Sequence, residues 1–459
     1  MQLFGSSGAR GVVGETFTPE FATQVAQAAG TVWDADRVVV ARDTRTSGDL
    51  FANAVASGLA SVGSDVDRIG VVPTPGVAYY CEREGLPAVH VTASHNPPAY
   101  NGIKLVSDEG VELTVGEYER VEQRVLAEEF ELAPWDGVGD ARRVEGVNRD
   151  YAADALAAVD REAIADADLR VAVDPGHGAG ALVSPDFFRE LGCEVVTVNA
   201  NPDGHFPGRD PEPVPENLGD LCRLVRAADA DVGIAHDGDA DRAIFVDERG
   251  DVVDGETSLA ALAAAALDPG DATVAAANVS QRLVDVVDEA GASLELTPVG
   301  SMNIITRIRE LRHEGVDVPI AGEGNGGVFF PDYRLGRDGA YVGAKFLELL
   351  ADQGAPVSDV VAPYAAYETV RESLSYDDEA ELDAMLGAAE QFAREADAEL
   401  DTTDGFRLDY GDAWVLVRPS GTEPKVRVYA EARERSRADS LATAVVDAVA
   451  AARDAAQNA

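Results

Sequence analysis

Lysine is nearly missing from this chain. Of 37 basic residues 34 are arginine, and lysine stands only at Lys104, Lys345 and Lys425, against 83 acidic residues and a net charge of −46. So acidic a surface offers no basic face to a phosphate backbone, which argues against nucleic acid as a partner. It repels itself in dilute buffer and stays hydrated once salt screens it, a property of habitat rather than of substrate: a salt-loaded cytoplasm is expected. Cysteine is scarce too. Cys81, Cys193 and Cys222 are odd in number and far apart, which argues against a disulfide framework and a zinc cluster and fits a reducing interior. The first residues carry no basic start, and no long apolar run occurs, so neither a signal peptide nor a membrane span is expected.

What is present is a globular composition, 46% hydrophobic over 459 residues, too long for one core and therefore divided into three or four domains. Apolar runs of strand length alternate with helical periodicity, which rules out a disordered acidic chain. Thr18-Pro19 reads as a cap and first-turn proline for a helix over 19–33. Short strands follow at 37–41, 66–72 and 102–106, with helices at 47–61 and 115–129. A connector rich in Gly and Pro over 133–148 precedes a second α/β unit with strands at 169–173, 194–198 and 231–235. A third runs from about 255, with strands at 272–277, 293–298 and 318–321. Beyond Gly354 the pattern becomes helix and antiparallel strands, an α+β domain closed by a helix over 436–456. The expected domains are 1–148, 149–254, 255–355 and 356–459.

Two segments carry the chemistry. Val91-Thr-Ala-Ser94-His95-Asn-Pro97 offers a serine hydroxyl in a short polar turn, and His236-Asp237-Gly-Asp239-Ala-Asp241-Arg242 places three carboxylates at alternate positions after a strand. A hydroxyl able to carry a phosphoryl group and a cluster of hard oxygen ligands are the parts a phosphoryl-transfer site needs. The three-carboxylate set suits Mg2+, leaving room for a phosphate oxygen and waters. An EF-hand is the competing reading, because position 12 from Asp237 is Glu248; but position 6 is Arg242 instead of glycine, and a strand precedes. Taken singly, Ser94 is an ordinary turn serine, and His95, in an extended turn, points away from it. Gly322-Glu323-Gly-Asn325-Gly-Gly327 matches a dinucleotide glycine pattern, but Val328-Phe-Phe-Pro331 follows where a helix is needed, so the match is a decoy, and a glycine-rich loop exposing Glu323 and Asn325 could still line a sugar pocket. Arg418-Pro-Ser420-Gly421-Thr422-Glu-Pro-Lys425-Val-Arg427 joins two strands and gathers cations and hydroxyls, an anion nest rather than a plain hairpin turn.

Taken together, these segments resemble the α-D-phosphohexomutase family along essentially the whole chain: Ser7-Gly8-x-Arg10-Gly11, Thr92 to Pro97 with Asn101-Gly-x-Lys104, Asp237 to Arg242, the loop 322–327 and Arg418 to Pro424. The resemblance implies four domains around a central cleft, three of them similar mixed-sheet α/β domains and the last α+β. It implies a phosphoserine at Ser94, with Mg2+ held by that phosphate and by Asp237, Asp239 and Asp241. Lys104 and Arg10 would stabilise the transferring phosphoryl; Glu323 and Asn325 would bind sugar hydroxyls; Arg418, Ser420, Gly421, Thr422 and Arg427 would hold the other phosphate. A hexose 6-phosphate and its 1-phosphate would interconvert through a 1,6-bisphosphate. Many family members carry serine and histidine where this chain has Asn325 and Gly327, so general acid and base duty passes to Lys104, Arg242 or His95. Glucosamine phosphate is the expected substrate, with mannose and glucose phosphates as the alternative. A non-catalytic sugar-phosphate sensor predicts loss of one motif, and all are present; a metal-dependent phosphatase leaves the 418–427 loop without a task.

Overall fold

The structure, a computed structural model, describes residues 3–5, 8–420 and 424–457. The chain forms two compact units, Met1–Ala266 with Pro319–Val361, and Leu267–Val318 with Ala362–Ala459.

In the first unit a six-stranded sheet has the order β1-β5-β4-β2-β3-β6, from Ala9–Val12 (β1), Arg37–Arg42 (β2), Asp65–Val71 (β3), Ala88–Val91 (β4), Tyr100–Val106 (β5) and Ala141–Arg143 (β6). Strands β4, β2, β3 and β6 are parallel; β5 runs antiparallel to β4 and β1. The run Val38-Val39-Val40 is apolar without alternation because helices cover both faces, and all three are buried. The helix Pro19–Trp33 begins as expected, with Thr18 Oγ1 accepting from Phe21 N at 3.3 Å. The sequence reading passed over the helix Thr74–Glu84 and the strand β4, where Pro73, Pro75 and Gly76 mask the helical pattern and β4 is only four residues long.

A second sheet has the order β11-β10-β9-β7-β8, from Arg170–Asp174 (β7), Glu194–Thr197 (β8), Val232–Ala235 (β9), Ile244–Val246 (β10) and Val252–Val253 (β11). Here β8, β7 and β9 are parallel, and β10 turns back antiparallel. The hairpin Ala321–Glu323 with Gly327–Phe329 and the helix Gly339–Gln353 complete the unit. The strand expected at 318–321 lies instead at Ala321–Glu323. Glu323 is therefore a strand residue, because the glycines after it close a hairpin.

In the second unit five antiparallel strands, with Lys425–Ala432 between Glu368–Ser375 and Ala413–Pro419, pack against the helices Glu379–Glu395 and Arg435–Gln457. Val415, Val417, Val426 and Val428 meet Met385, Leu441 and Val445 in its core. A parallel pair, Ala272–Ala276 with Ser293–Thr297, is fastened to this sheet by Arg407, which donates to the carbonyls of Ala277 and Val279 at 2.7 and 3.1 Å. Among the described residues no helix is long and apolar enough to cross a membrane.

Candidate active site

Two loops leave the carboxyl ends of parallel strands: Thr92–Pro98 after β4 and His236–Ala243 after β9. These ends are where open α/β sheets expose backbone groups to a ligand. In the first unit the loops touch. Ser94 Oγ donates to Asp237 Oδ2 at 2.6 Å, and Ser94 is 1% exposed. Ser94 is held at φ 48, a left-handed conformation that a turn serine rarely takes. The turn is thus not extended, and His95 comes back to the site, its Nδ1 3.0 Å from Arg242 Nη2. Gly238 permits the approach, since a Cβ there would lie 2.6 Å from the Ser94 carbonyl oxygen.

Arg45, which no motif indicated, holds the serine loop. Its guanidinium donates to the carbonyls of Ser94 (2.9 Å), Asn96 (2.6 Å), Pro97 (2.8 Å) and Tyr100 (2.9 Å), and pairs with Asp43 at 3.0 Å. Arg209 does similar work for the other loop, bonding Asp174 at 3.0 Å and the His236 carbonyl at 2.6 Å. Nothing distinguishes these arginines in a chain where arginine is the ordinary cation.

Asp237, Asp239 and Asp241 are buried, with one carboxylate oxygen from each within 4.8 Å of the others. Burial and the two neighbouring carboxylates push Asp237 above the usual carboxylate range. Asp239 and Asp241 resist burial because Lys104 and, for Asp241, Arg337 hold them below that range. Lys104 Nζ donates to Asp239 Oδ2 at 2.8 Å and Asp241 Oδ2 at 2.9 Å, and Thr74 Oγ1 to Asp239 Oδ2 at 2.7 Å. Every one of these contacts takes Oδ2. Among the described residues Oδ1 of Asp239 and of Asp241 is buried without a hydrogen-bond partner, and such oxygens fit a cation. Burial opposes charge on Lys104, but Asp239 and Asp241 outweigh it and hold the ammonium protonated. Burial, then Arg242 and Arg10, push His95 well below the usual histidine value. It is a neutral ring accepting from Arg242. Arg10 donates to Asn96 Oδ1 at 2.9 Å.

Glu323 and Asn325 stand in the hairpin of the same unit. Gly326 O accepts from Ala243 N at 3.0 Å, which ties that turn to the aspartate loop. Asn325 Nδ2 lies 3.4 Å from Glu323 Oε2, and its Oδ1 accepts from Gly327 N at 2.9 Å.

In the second unit Arg418 and Arg427 are directly opposite across an antiparallel ladder, with Arg418 Nε on Asp404 at 2.7 Å. Like charges so placed repel, and an anion between them would relieve it. Ser420 N donates to Lys425 O at 2.8 Å. Gly421 and Thr422 lie outside the described residues, as does Ser7.

Four stretches match family descriptions: "Phosphoglucomutase/phosphomannomutase, alpha/beta/alpha domain I" over residues 1–132, domain II over 149–250, domain III over 254–367, and the C-terminal domain over 374–448. The chain is 42% identical to a probable phosphoglucosamine mutase of Methanopyrus kandleri, over 98% of each chain. It is 40% identical to a phosphoglucomutase/phosphomannomutase of Thermococcus kodakarensis, over 95% of this chain and 96% of the other. A crystal structure of a phosphoglucomutase/phosphomannomutase family protein from Burkholderia thailandensis superposes with a TM-score of 0.82 at 30% identity, covering 99% of this chain and 97% of that one.

Proposed function

The chain belongs to the phosphoglucomutase/phosphomannomutase family, the α-D-phosphohexomutases, and on that footing we propose that it interconverts the 6-phosphate and 1-phosphate of glucosamine through a phosphorylated Ser94. The observation that carries this is the 2.6 Å contact of a buried serine hydroxyl with the first of three clustered aspartates. The P–O bond to Ser94 Oγ breaks as the free hydroxyl of the hexose phosphate gives up its proton and bonds to phosphorus, and the freed Ser94 Oγ takes up a proton. The resulting 1,6-bisphosphate turns over, and Ser94 Oγ takes the other phosphoryl group.

The family is metal-dependent, and Asp237, Asp239, Asp241 and the Ser94 phosphate would hold Mg2+, which neutralises charge on the transferring phosphoryl. Lys104, whose Nζ donates to Asp239 and Asp241 at 2.8 and 2.9 Å, sets a cation beside the transferring phosphoryl. Arg10 and Arg242 add donors, with His95 orienting Arg242. Glu323 and Asn325 bind sugar hydroxyls, and Arg418, Ser420, Gly421, Thr422 and Arg427 hold the phosphate that does not react. The four family spans support domains at 1–148, 149–254, 255–355 and 356–459. Free Cys81, Cys193 and Cys222 suit a reducing cytoplasm.

Glucosamine is favoured by the name of the Methanopyrus relative, while the Thermococcus name at 40% identity supports mannose and glucose phosphates as the second reading. The test is isomerisation of the three hexose phosphates in molar KCl with Mg2+ and a trace of 1,6-bisphosphate. Turnover of glucosamine 6-phosphate that disappears in Ser94→Ala is expected. Better turnover of mannose or glucose phosphate moves the enzyme to the second reading, and activity that survives Ser94→Ala overturns the phosphoserine route.

A further inference from the structure

Arg337 belongs to none of the motifs, yet it faces the aspartate cluster. It immediately precedes the N-cap Asp338 of the helix Gly339–Gln353. That start is rigidly held: Asp338 Oδ1 accepts from Tyr341 N at 3.0 Å and from Tyr151 Oη at 2.7 Å, and Gly339 N donates to Ala240 O at 3.1 Å. The helix therefore delivers Arg337 to the aspartate loop. Its Nη2 donates to Asp241 Oδ2 at 2.7 Å, and its Nη1 lies 3.4 Å from Glu323 Oε2.

A second observation comes from the hairpin. A Cβ at Gly327 would lie 2.8 Å from Arg337 Cδ and 2.9 Å from Nη1. The guanidinium fills the space that a side chain at 327 would take, so the bare position and the arginine belong together. The bland reading is that Arg337 merely neutralises buried carboxylates. Neutralisation alone needs only a cation near Asp241, which Lys104 already supplies. Reaching carboxylates on two different elements needs the planar fork that arginine has and lysine lacks.

We infer that Arg337 is a positioning residue, bridging the sugar-loop carboxylate Glu323 to the metal-cluster carboxylate Asp241 so that one guanidinium sets both. This rests on the reading of those two groups given above. By holding Asp241 through Oδ2, Arg337 keeps Oδ1, which has no hydrogen-bond partner among the described residues, turned to the cation site. Through Nη1 it fixes Glu323 for the sugar.

The test uses the full chain, Arg337→Met and Arg337→Lys, with two readouts: Mn2+ titrated into the metal-free protein and followed by the electron paramagnetic signal of free Mn2+, and the KM for hexose phosphate at saturating metal. Arg337→Met weakens Mn2+ binding about tenfold, the scale of losing an outer partner of a metal ligand, and raises KM by a similar factor. Arg337→Lys keeps Mn2+ affinity within about threefold, because one ammonium still reaches Asp241, yet leaves KM raised because it cannot span both carboxylates. If Arg337→Met misfolds by thermal melt, Gly327→Ala takes its place. It leaves the arginine present but pushed aside, and raises KM several-fold. The inference is overturned if Arg337→Met binds Mn2+ and hexose phosphate as the wild type does, or if both substitutions weaken Mn2+ equally while KM stays put. The underlying mutase reading fails separately, through activity that persists in Ser94→Ala.

Discussion

Arg45 and His90 are fully buried polar side chains with very different consequences. Arg45 satisfies four carbonyls of the serine loop and one carboxylate. Arg45→Met strands buried Asp43, and removing one partner of a buried pair costs about 3–5 kcal/mol. We expect a fall in unfolding free energy of that order in denaturant titration, with loss of turnover as the Ser94 turn relaxes. His90 works through its proton. Burial pulls it down from 6.5 to about 4, its Nε2 has no hydrogen-bond partner among the described residues, and its Nδ1 is 3.3 Å from Thr74 Oγ1. The unfolded chain takes up this proton below the ordinary histidine value, whereas the folded protein refuses it until about pH 4. The His90 contribution is therefore intact above that ordinary value and is lost as pH falls towards 4, at about 1.4 kcal/mol per pH unit. His90→Gln should remove that slope from the difference between variant and wild-type unfolding curves measured from neutral pH down to 4. The site was half legible at this scale. Ser94, Lys104 and the aspartates stand out by type and spacing. Arg45, Arg209, Thr74 and Arg337 do not, since their roles depend on partners 49, 27, 165 and 96 residues away.

At the scale of elements, the site is two strand ends brought into contact. The loop after β4 and the loop after β9 meet because Gly238 has no side chain against the Ser94 carbonyl and because Thr74 N donates to Asp239 O at 2.9 Å. Gly238→Ala inserts a methyl group at 2.6 Å from that oxygen. Overpacking of this kind costs about 1–3 kcal/mol. The larger effect falls on geometry: displacing the serine from Asp237 should lower kcat at least about 100-fold while the melt shifts by only a few degrees. A variant that unfolds outright would show that the contact serves stability first. The antiparallel sheet of the second unit was plain from the alternation in 425–432. The helix over 74–84 was not, because prolines at its start read as a breaker. The strand holding Glu323 is three residues long, below what periodicity can register.

At the scale of the whole chain, three α/β domains and a C-terminal α+β domain follow from the order of elements and agree with the four family spans. A net charge of −46 repels itself wherever salt does not screen it; the screening length falls from about 10 Å at 0.1 M to about 3 Å at 1 M. The unfolding temperature should therefore climb steadily as KCl rises from 0.1 to 3 M, and a flat response would refute self-repulsion as a burden on this fold. A cation held by the three aspartates would act locally against the same repulsion. Mg2+ at 100 times its dissociation constant should add about 2.7 kcal/mol, visible as a higher melt that chelation reverses and that Asp239→Asn lacks.

By itself the sequence determined the parts on which the chemistry is proposed: a serine turn, three alternate aspartates, a glycine-rich loop and an arginine-rich loop, together with a composition that argues against a disulfide framework and a nucleic-acid partner. These are local patterns, readable because type and spacing within ten residues restrict what they can bind. Tertiary structure alone decided which side chains share the work. Ser94 and Asp237 are 143 residues apart in the chain, and Arg337 is 96 from Asp241. Their meeting depends on strand order in two sheets and on one helix start, and no local pattern encodes a distance across the fold.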